Sequence, residues 1–113
     1  MMSSQLDEMW LECLRNCTEC HNVCLQTVVS SDVVGKIGVE DQKLLLNCAE
    51  LCRTCADFLN TGSAHHRVVC GACAELCAAC AQMCERSGIG VMRQCAQVCR
   101  RCEDSCRRMA AMP

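Results

Sequence analysis

Tyrosine is absent from the chain, and tryptophan and phenylalanine occur once each, as Trp10 and Phe58. Aromatic rings normally bury the most area per side chain, so something else must organise the interior of these 113 residues. Proline is almost as scarce. The single one is Pro113, at the last position, so no proline interrupts a helix from within. Neither sign of charge dominates. The formal net charge is −2, and no basic stripe offers the electrostatic footprint of a nucleic-acid binder. No stretch approaches the roughly 18 consecutive apolar residues expected of a membrane span. The opening MMSSQLDEMWLEC is acidic and lacks the basic and apolar regions of a signal peptide. These absences predict a soluble, cytoplasmic chain with no nucleic-acid and no membrane partner. The length predicts one domain over residues 1–113.

What is abundant is cysteine. The chain has sixteen, well above the roughly 8–10 % that marks a special role. In a secreted protein that number would mean disulfides, whereas in a reducing cytosol it points to metal. The cysteines form four blocks: Cys13, Cys17, Cys20, Cys24; Cys48, Cys52, Cys55; Cys70, Cys73, Cys77, Cys80, Cys84; and Cys95, Cys99, Cys102, Cys106. Every step within a block is 3 or 4 residues. That spacing keeps side chains on one face of an α-helix, and a strand would scatter them over both faces.

Helix boundaries agree with the blocks. Ser4, followed by Asp7, starts a first helix. SSDVVGKIGVED (30–41), with Gly35 and Gly38, is a connection. Gly62 stops the second helix and Ser63 caps the third. RSGIG (86–90) is the last connection. Helices are expected near 4–29, 40–60, 63–86 and 89–111. Short connections favour antiparallel neighbours, so the predicted fold is all-α: an up-down-up-down four-helix bundle with a cysteine-lined core.

Leucine, isoleucine and valine usually hold the inward positions of a bundle, and here cysteine holds them. Sixteen small side chains would fill such a core poorly, and voids are costly. Successive cysteines on one helix have Cβ atoms about 5–6 Å apart, against about 3.8 Å in a disulfide. Cross-helix disulfides stay open on that argument. The thiols are better read as soft metal ligands. Charge discriminates among the metals. All the thiolates together would bury a prohibitive negative charge. Zinc in four-cysteine sites would still leave about −8 inside. Iron–sulfur clusters leave a similar excess, and their usual ligand spacing is missing. Monovalent Cu(I) accepts two or three thiolates, and if each thiolate bridges two ions the interior becomes neutral. Multiple Cu(I) ions per chain are the expected cargo. A zinc-binding or iron–sulfur helical bundle is the alternative.

With these blocks, CAELCAAC and the ending CAQVCRRCEDSCRRMA, nearly the whole chain resembles the cytosolic copper storage proteins. The resemblance implies storage and buffering of many Cu(I) ions, all sixteen cysteines as inward ligands, and a homotetramer. It implies a binding protein, not an enzyme, and no Ser–His–Asp or Cys–His arrangement is legible in the residues. The family's entrance histidines in the third connection have no counterpart in ERSGIGVMRQ.

Extending the heptads past the cysteines predicts what closes the tube. Leu6, Trp10, Leu59, His66 and Met109 fall at the end holding the chain termini, as a mostly hydrophobic plug. Thr27, Asp41, Leu45, Ser87 and Met92 fall at the other end. That end is more polar and is the expected copper entrance. Met92, His66 and Asp41 are the candidate accessory metal contacts. His21 is expected to face solvent, and His65 to be exposed in a first turn. Ala72, Ala74, Leu76, Ala78, Ala79, Ala81 and Met83 are expected on the outer face of the third helix, where they would favour self-association.

Overall fold

A computed structural model describes the backbone of residues 2–112 and the side chains of residues 6–112. Four helices follow one another, α1 (Met2–Val28), α2 (Val39–Asn60), α3 (His66–Arg86) and α4 (Gly90–Ala110). Each packs on the helices before and after it in the ring α1–α2–α3–α4, and the diagonal pairs do not approach through their backbones. The bundle measures 50 × 19 × 18 Å. Its long central channel is bounded by four helix faces, and those are the faces that carry the cysteines.

Local chemistry places the helix ends. Beyond α2, Thr61 closes the last turn, and Gly62 takes the left-handed conformation at φ 64°. The Gly62 N–H donates to the Leu59 carbonyl and the Ser63 N–H to the Phe58 carbonyl, which satisfies the orphan acceptors of the last turn. Gly88 also takes the left-handed conformation after α3, at φ 72°, and there the following N–H, of Ile89, donates to Ser87 Oγ instead. α3 starts three residues later than expected, at His66. Ser63 does not cap it; its Oγ accepts from the His65 N–H at 3.0 Å, which makes a turn of residues 63–65 instead. The expected cap at Ser4 lies outside the side chains described, and α1 begins at Met2.

Small residues set the seams. Ala49 and Ala56 on α2, Ala74 and Ala81 on α3, and Ala96 on α4 are all buried, so neighbouring backbones come close without a thick layer of side chains. This changes the expected outer face of α3. Ala74, Ala81 and Met83 are buried inside the bundle, Leu76 and Ala78 are half-buried, and only Ala72 and Ala79 of that set are exposed. Ala74 and Ala81 each follow an inward cysteine directly, and that flank of the helix is covered by its neighbours. α3 is also long and apolar enough to cross a membrane by length and composition, contrary to the sequence expectation. Half of that stretch is buried inside the bundle.

Polar contacts tie α4 to both flanks. Arg100 bridges to Glu85 on α3 at 2.8 Å, and Arg101 and Arg108 reach Glu19 and Glu12 on α1 at 3.1 Å. These pairs are well exposed, so each contributes little. Asn16 on α1 donates to Ser105 Oγ at 3.1 Å, inside the same seam. His21 does not face solvent as expected. It is half-buried, and its Nδ1–H donates to the Ala49 carbonyl at 2.7 Å across the α1–α2 seam.

Leucine, alanine and methionine contacts between helices do not involve metal. The metal-free, reduced chain is therefore expected to keep its helical circular dichroism, and a random-coil spectrum would contradict this assignment of stability. Leu45 is fully buried, so Leu45→Ala is expected to cost about 3 kcal/mol in denaturant unfolding.

Candidate metal centre

All sixteen cysteines are free thiols, and none is exposed to solvent. Steps of 3 and 4 point the thiols of each helix at the channel, and the antiparallel ring brings the rows face to face. Cys55 meets Cys70 with Sγ atoms 3.5 Å apart, Cys52 meets Cys77 at 3.6 Å, and Cys24 meets Cys95 at 3.8 Å. Diagonal helices meet through their thiols, too. Cys52 on α2 lies 3.9 Å from Cys102 on α4, across the channel axis.

Four groups of thiols have sulfurs that all lie within 4.8 Å of one another: Cys13, Cys70, Cys106; Cys17, Cys73, Cys102, Cys106; Cys20, Cys52, Cys77, Cys102; and Cys20, Cys24, Cys48, Cys99. Consecutive groups share a corner, first Cys106, then Cys102, then Cys20. Distance alone does not choose the metal. With metal–sulfur bonds of about 2.3 Å, a tetrahedron has edges near 3.8 Å and a triangle near 4.0 Å. What the groups add is sharing, since Cys106, Cys102 and Cys20 each stand in two of them and can each serve two ions. Shared thiolates are bridging ligands, which suits a chain of low-coordinate, monovalent ions. The sulfurs are also in van der Waals contact, which leaves no space for a cluster carrying its own sulfides.

Protonation follows the same lattice. Hydrogen bonds, from Cys106 first and then Cys17, Cys55 and Cys70, hold the Cys13 thiol below the usual range, while burial pushes it up. Cys106 is pushed up in turn, first by Cys102 and then by Cys13, Cys17 and Cys55, with burial acting in the same direction. Near the other end Cys95 is held down, chiefly by Cys24, and Cys24 is pushed up, chiefly by Cys20. A thiolate is tolerated here where its neighbours stay protonated and donate to it. Burial opposes ionisation at each of these thiols, and metal must displace the protons they hold.

Residues 2–111 match the sequence profile of the family described as copper storage protein, Csp. The chain belongs to the copper storage protein family. A crystal structure of a Nitrosospira multiformis protein is 37 % identical, with a TM-score of 0.87, covering 95 % of this chain and 99 % of that one. The Cu(I)-bound copper storage protein BsCsp3 is 28 % identical over 98 % of this chain and 100 % of that one, at a TM-score of 0.62. Metal-free copper storage protein 3 from Bacillus subtilis is 27 % identical over 92 % and 94 %, at 0.61. Among proteins of curated function, none matches.

The ends of this family member's channel differ from expectation. At the end holding the termini, Leu59 and Met109 are fully buried. Trp10 is half-buried; its Nε1–H donates to the Leu59 carbonyl at 2.8 Å, and its ring lies 4.7 Å from that of His66. Leu6 is not part of the plug. It is 47 % exposed among the described residues.

The other end is not an open polar mouth. Leu45 and Met92 are fully buried, and so is Val33, from the first connection. Thr27 turns its hydroxyl to the Val23 carbonyl of its own helix at 2.7 Å. Asp41 and Ser87 are half-buried to one side, where they line a surface cleft of about 240 Å³ with Lys36, Met83 and Ile89. Asp41 sits in the first turn of α2, where a carboxylate complements the helix dipole. Sequence reasoning missed Val33. Its one trace was the unusual run of Val33, Val34 and Ile37 inside a glycine-marked loop.

Because thiolate is the form that binds metal, Cu(I) loading in weak buffer is expected to release protons and acidify the solution. A pH-stat titration measures this, and a constant pH through loading would contradict the ionisation scheme.

Proposed function

We propose that this protein stores and buffers Cu(I) in the cytosol, with the whole chain acting as one metal-binding domain. The ligands are Cys13, Cys17, Cys20, Cys24, Cys48, Cys52, Cys55, Cys70, Cys73, Cys77, Cys80, Cys84, Cys95, Cys99, Cys102 and Cys106. The observation that carries the reading is the run of thiol groups joined at Cys106, Cys102 and Cys20. A store needs many equivalent places for a soft ion, close together and shielded from water and oxidants. A catalyst needs an open coordination position and a route for substrate, and a fully enclosed thiol channel offers neither. The protein is accordingly read as a binding protein, working without nucleic acid or membrane. Its relation to the storage family supports a homotetramer.

Copper uptake is placed at the end formed by the first and third connections. There the first connection, with Gly35 and Gly38 on either side of Lys36 and Ile37, can lift Val33 away from the bundle. Cys24, Cys48, Cys84 and Cys95 are the thiols nearest that end by position along their helices. Met92 precedes Cys95 by three residues and offers a soft thioether to an ion on its way in. Asp41, on the rim, offers electrostatic attraction only.

Titration of the reduced, empty protein with Cu(I) against a competing chelator tests the function. Saturation is expected on the order of 16 ions per chain, with a colourless product. Saturation at one to four ions would sink the storage reading, and a brown protein as purified would favour iron–sulfur. Met92→Leu keeps the volume and removes the sulfur. It is expected to load more slowly in stopped-flow mixing while holding the same final number of ions. An unchanged rate would remove Met92 from the path.

A further inference from the structure

His66 stands apart from the other histidines. Its Nδ1 lies 3.1 Å from the carbonyl oxygen of Ser63. A carbonyl only accepts, so the proton of the neutral ring sits on Nδ1 and Nε2 keeps a bare lone pair. That Nε2 is enclosed by protein and has no hydrogen-bond partner among the described residues. An enclosed lone pair without a donor is uncommon and calls for an explanation.

The register supplies one. His66 precedes Cys70 by four residues on α3, so it stands one helical turn above that thiol on the channel face. Cys70 belongs to the last thiol group at this end, with Cys13 and Cys106. Met109, one turn past Cys106, is fully buried in the same layer. Imidazoles that bind metal through one nitrogen commonly donate the other N–H to a backbone carbonyl, which fixes the ring. The Ser63 carbonyl does that here, and Trp10 packs on the ring at a centroid distance of 4.7 Å.

We propose that His66 Nε2 is a Cu(I) ligand, forming a mixed imidazole–thiolate site with Cys70 that closes the channel at the end holding the termini. The inference rests on the copper-storage reading. Charge explains why an imidazole belongs there. Inside the channel each thiolate can bridge two ions, so its charge is shared. In the last group a thiolate has an ion on one side only, and a further thiolate would leave that end negative. A neutral imidazole completes the coordination of the last ion without adding charge. One thiolate, one Cu(I) and one imidazole make a neutral unit in a buried place. His21 lacks this arrangement: its Nδ1 is also held by a carbonyl, that of Ala49, but it directly follows the inward Cys20 and points into a seam.

The test uses the wild-type protein, labelled with nitrogen-15 in its histidine rings and kept anaerobic, because Cu(I) is diamagnetic. In the empty protein the His66 resonances are expected to report the Nδ1–H form with an unprotonated Nε2. At saturation with Cu(I) the Nε2 signal is expected to move upfield, well beyond any change at His21 or His65. The same spectrum of His66→Gln, which lacks that signal, secures the assignment. If the chain fills with copper while Nε2 of His66 stays where it was, this inference is overturned and the storage function stands. If the chain takes up no copper, both fall.

Discussion

Charge compensation among buried thiolates is the constraint on which the rest of this structure depends. Sixteen cysteines shielded from solvent cannot all ionise unless cations enter as protons leave, because isolated buried charge is prohibitive. The lattice of sulfur contacts at 3.5–4.0 Å solves the problem in two states. When empty, thiols donate to one another. When filled, each proton is exchanged for a share of a monovalent ion. Both states keep the interior close to neutral, so the channel can be partly filled without a large electrostatic cost at any step.

That solution demands a scaffold that does not rely on metal. Cysteine occupies the positions where a bundle usually places its large apolar side chains, so the helices must be held by other residues. Alanines in the seams, Leu45, Leu59 and Met109 at the ends, and Val98 on α4 provide the buried contacts. The Trp10 indole, donating to the Leu59 carbonyl, fastens α1 to the end of α2. The arginines of α4 add exposed ion pairs whose main use is orientation, given how little such pairs stabilise. Stability and cargo are thus carried by different positions on the same helices, the seams and the channel ends for one and the thiol rows for the other. A helix rotated to improve one set of contacts would spoil the other.

Sealing the two ends follows from the same logic. A thiol channel open to solvent would admit water and oxidants, so both mouths carry apolar layers. One is built from helix residues around Leu59 and Met109. The other borrows Val33 from a connection. The difference has a functional meaning, since a connection can move while a helix seam cannot without loss of packing. The uptake end proposed above is accordingly the one closed by Val33, and the terminal ligand proposed above, His66, stands at the other.

The sequence by itself determined the helices and the inward face of each, because steps of 3 and 4 are a local, covalent property of the chain. It also determined the soft character of the core, which depends on residue type alone, and the family motifs run through the same positions. The helix ends were legible where glycine was needed, as at Gly62, but not at Ser63, whose hydroxyl turned to a neighbouring N–H instead. Only the tertiary structure decided which sulfurs meet. That Cys106, Cys102 and Cys20 are shared corners, and that Cys52 reaches Cys102 across the axis, depends on the rotation and axial offset of four helices against one another. Seams of alanine set those offsets, and no local spacing encodes them. The burial of Val33 and the enclosed Nε2 of His66 have the same origin. Each depends on where a neighbouring helix or loop ends, which is a fact about packing between segments distant in the chain.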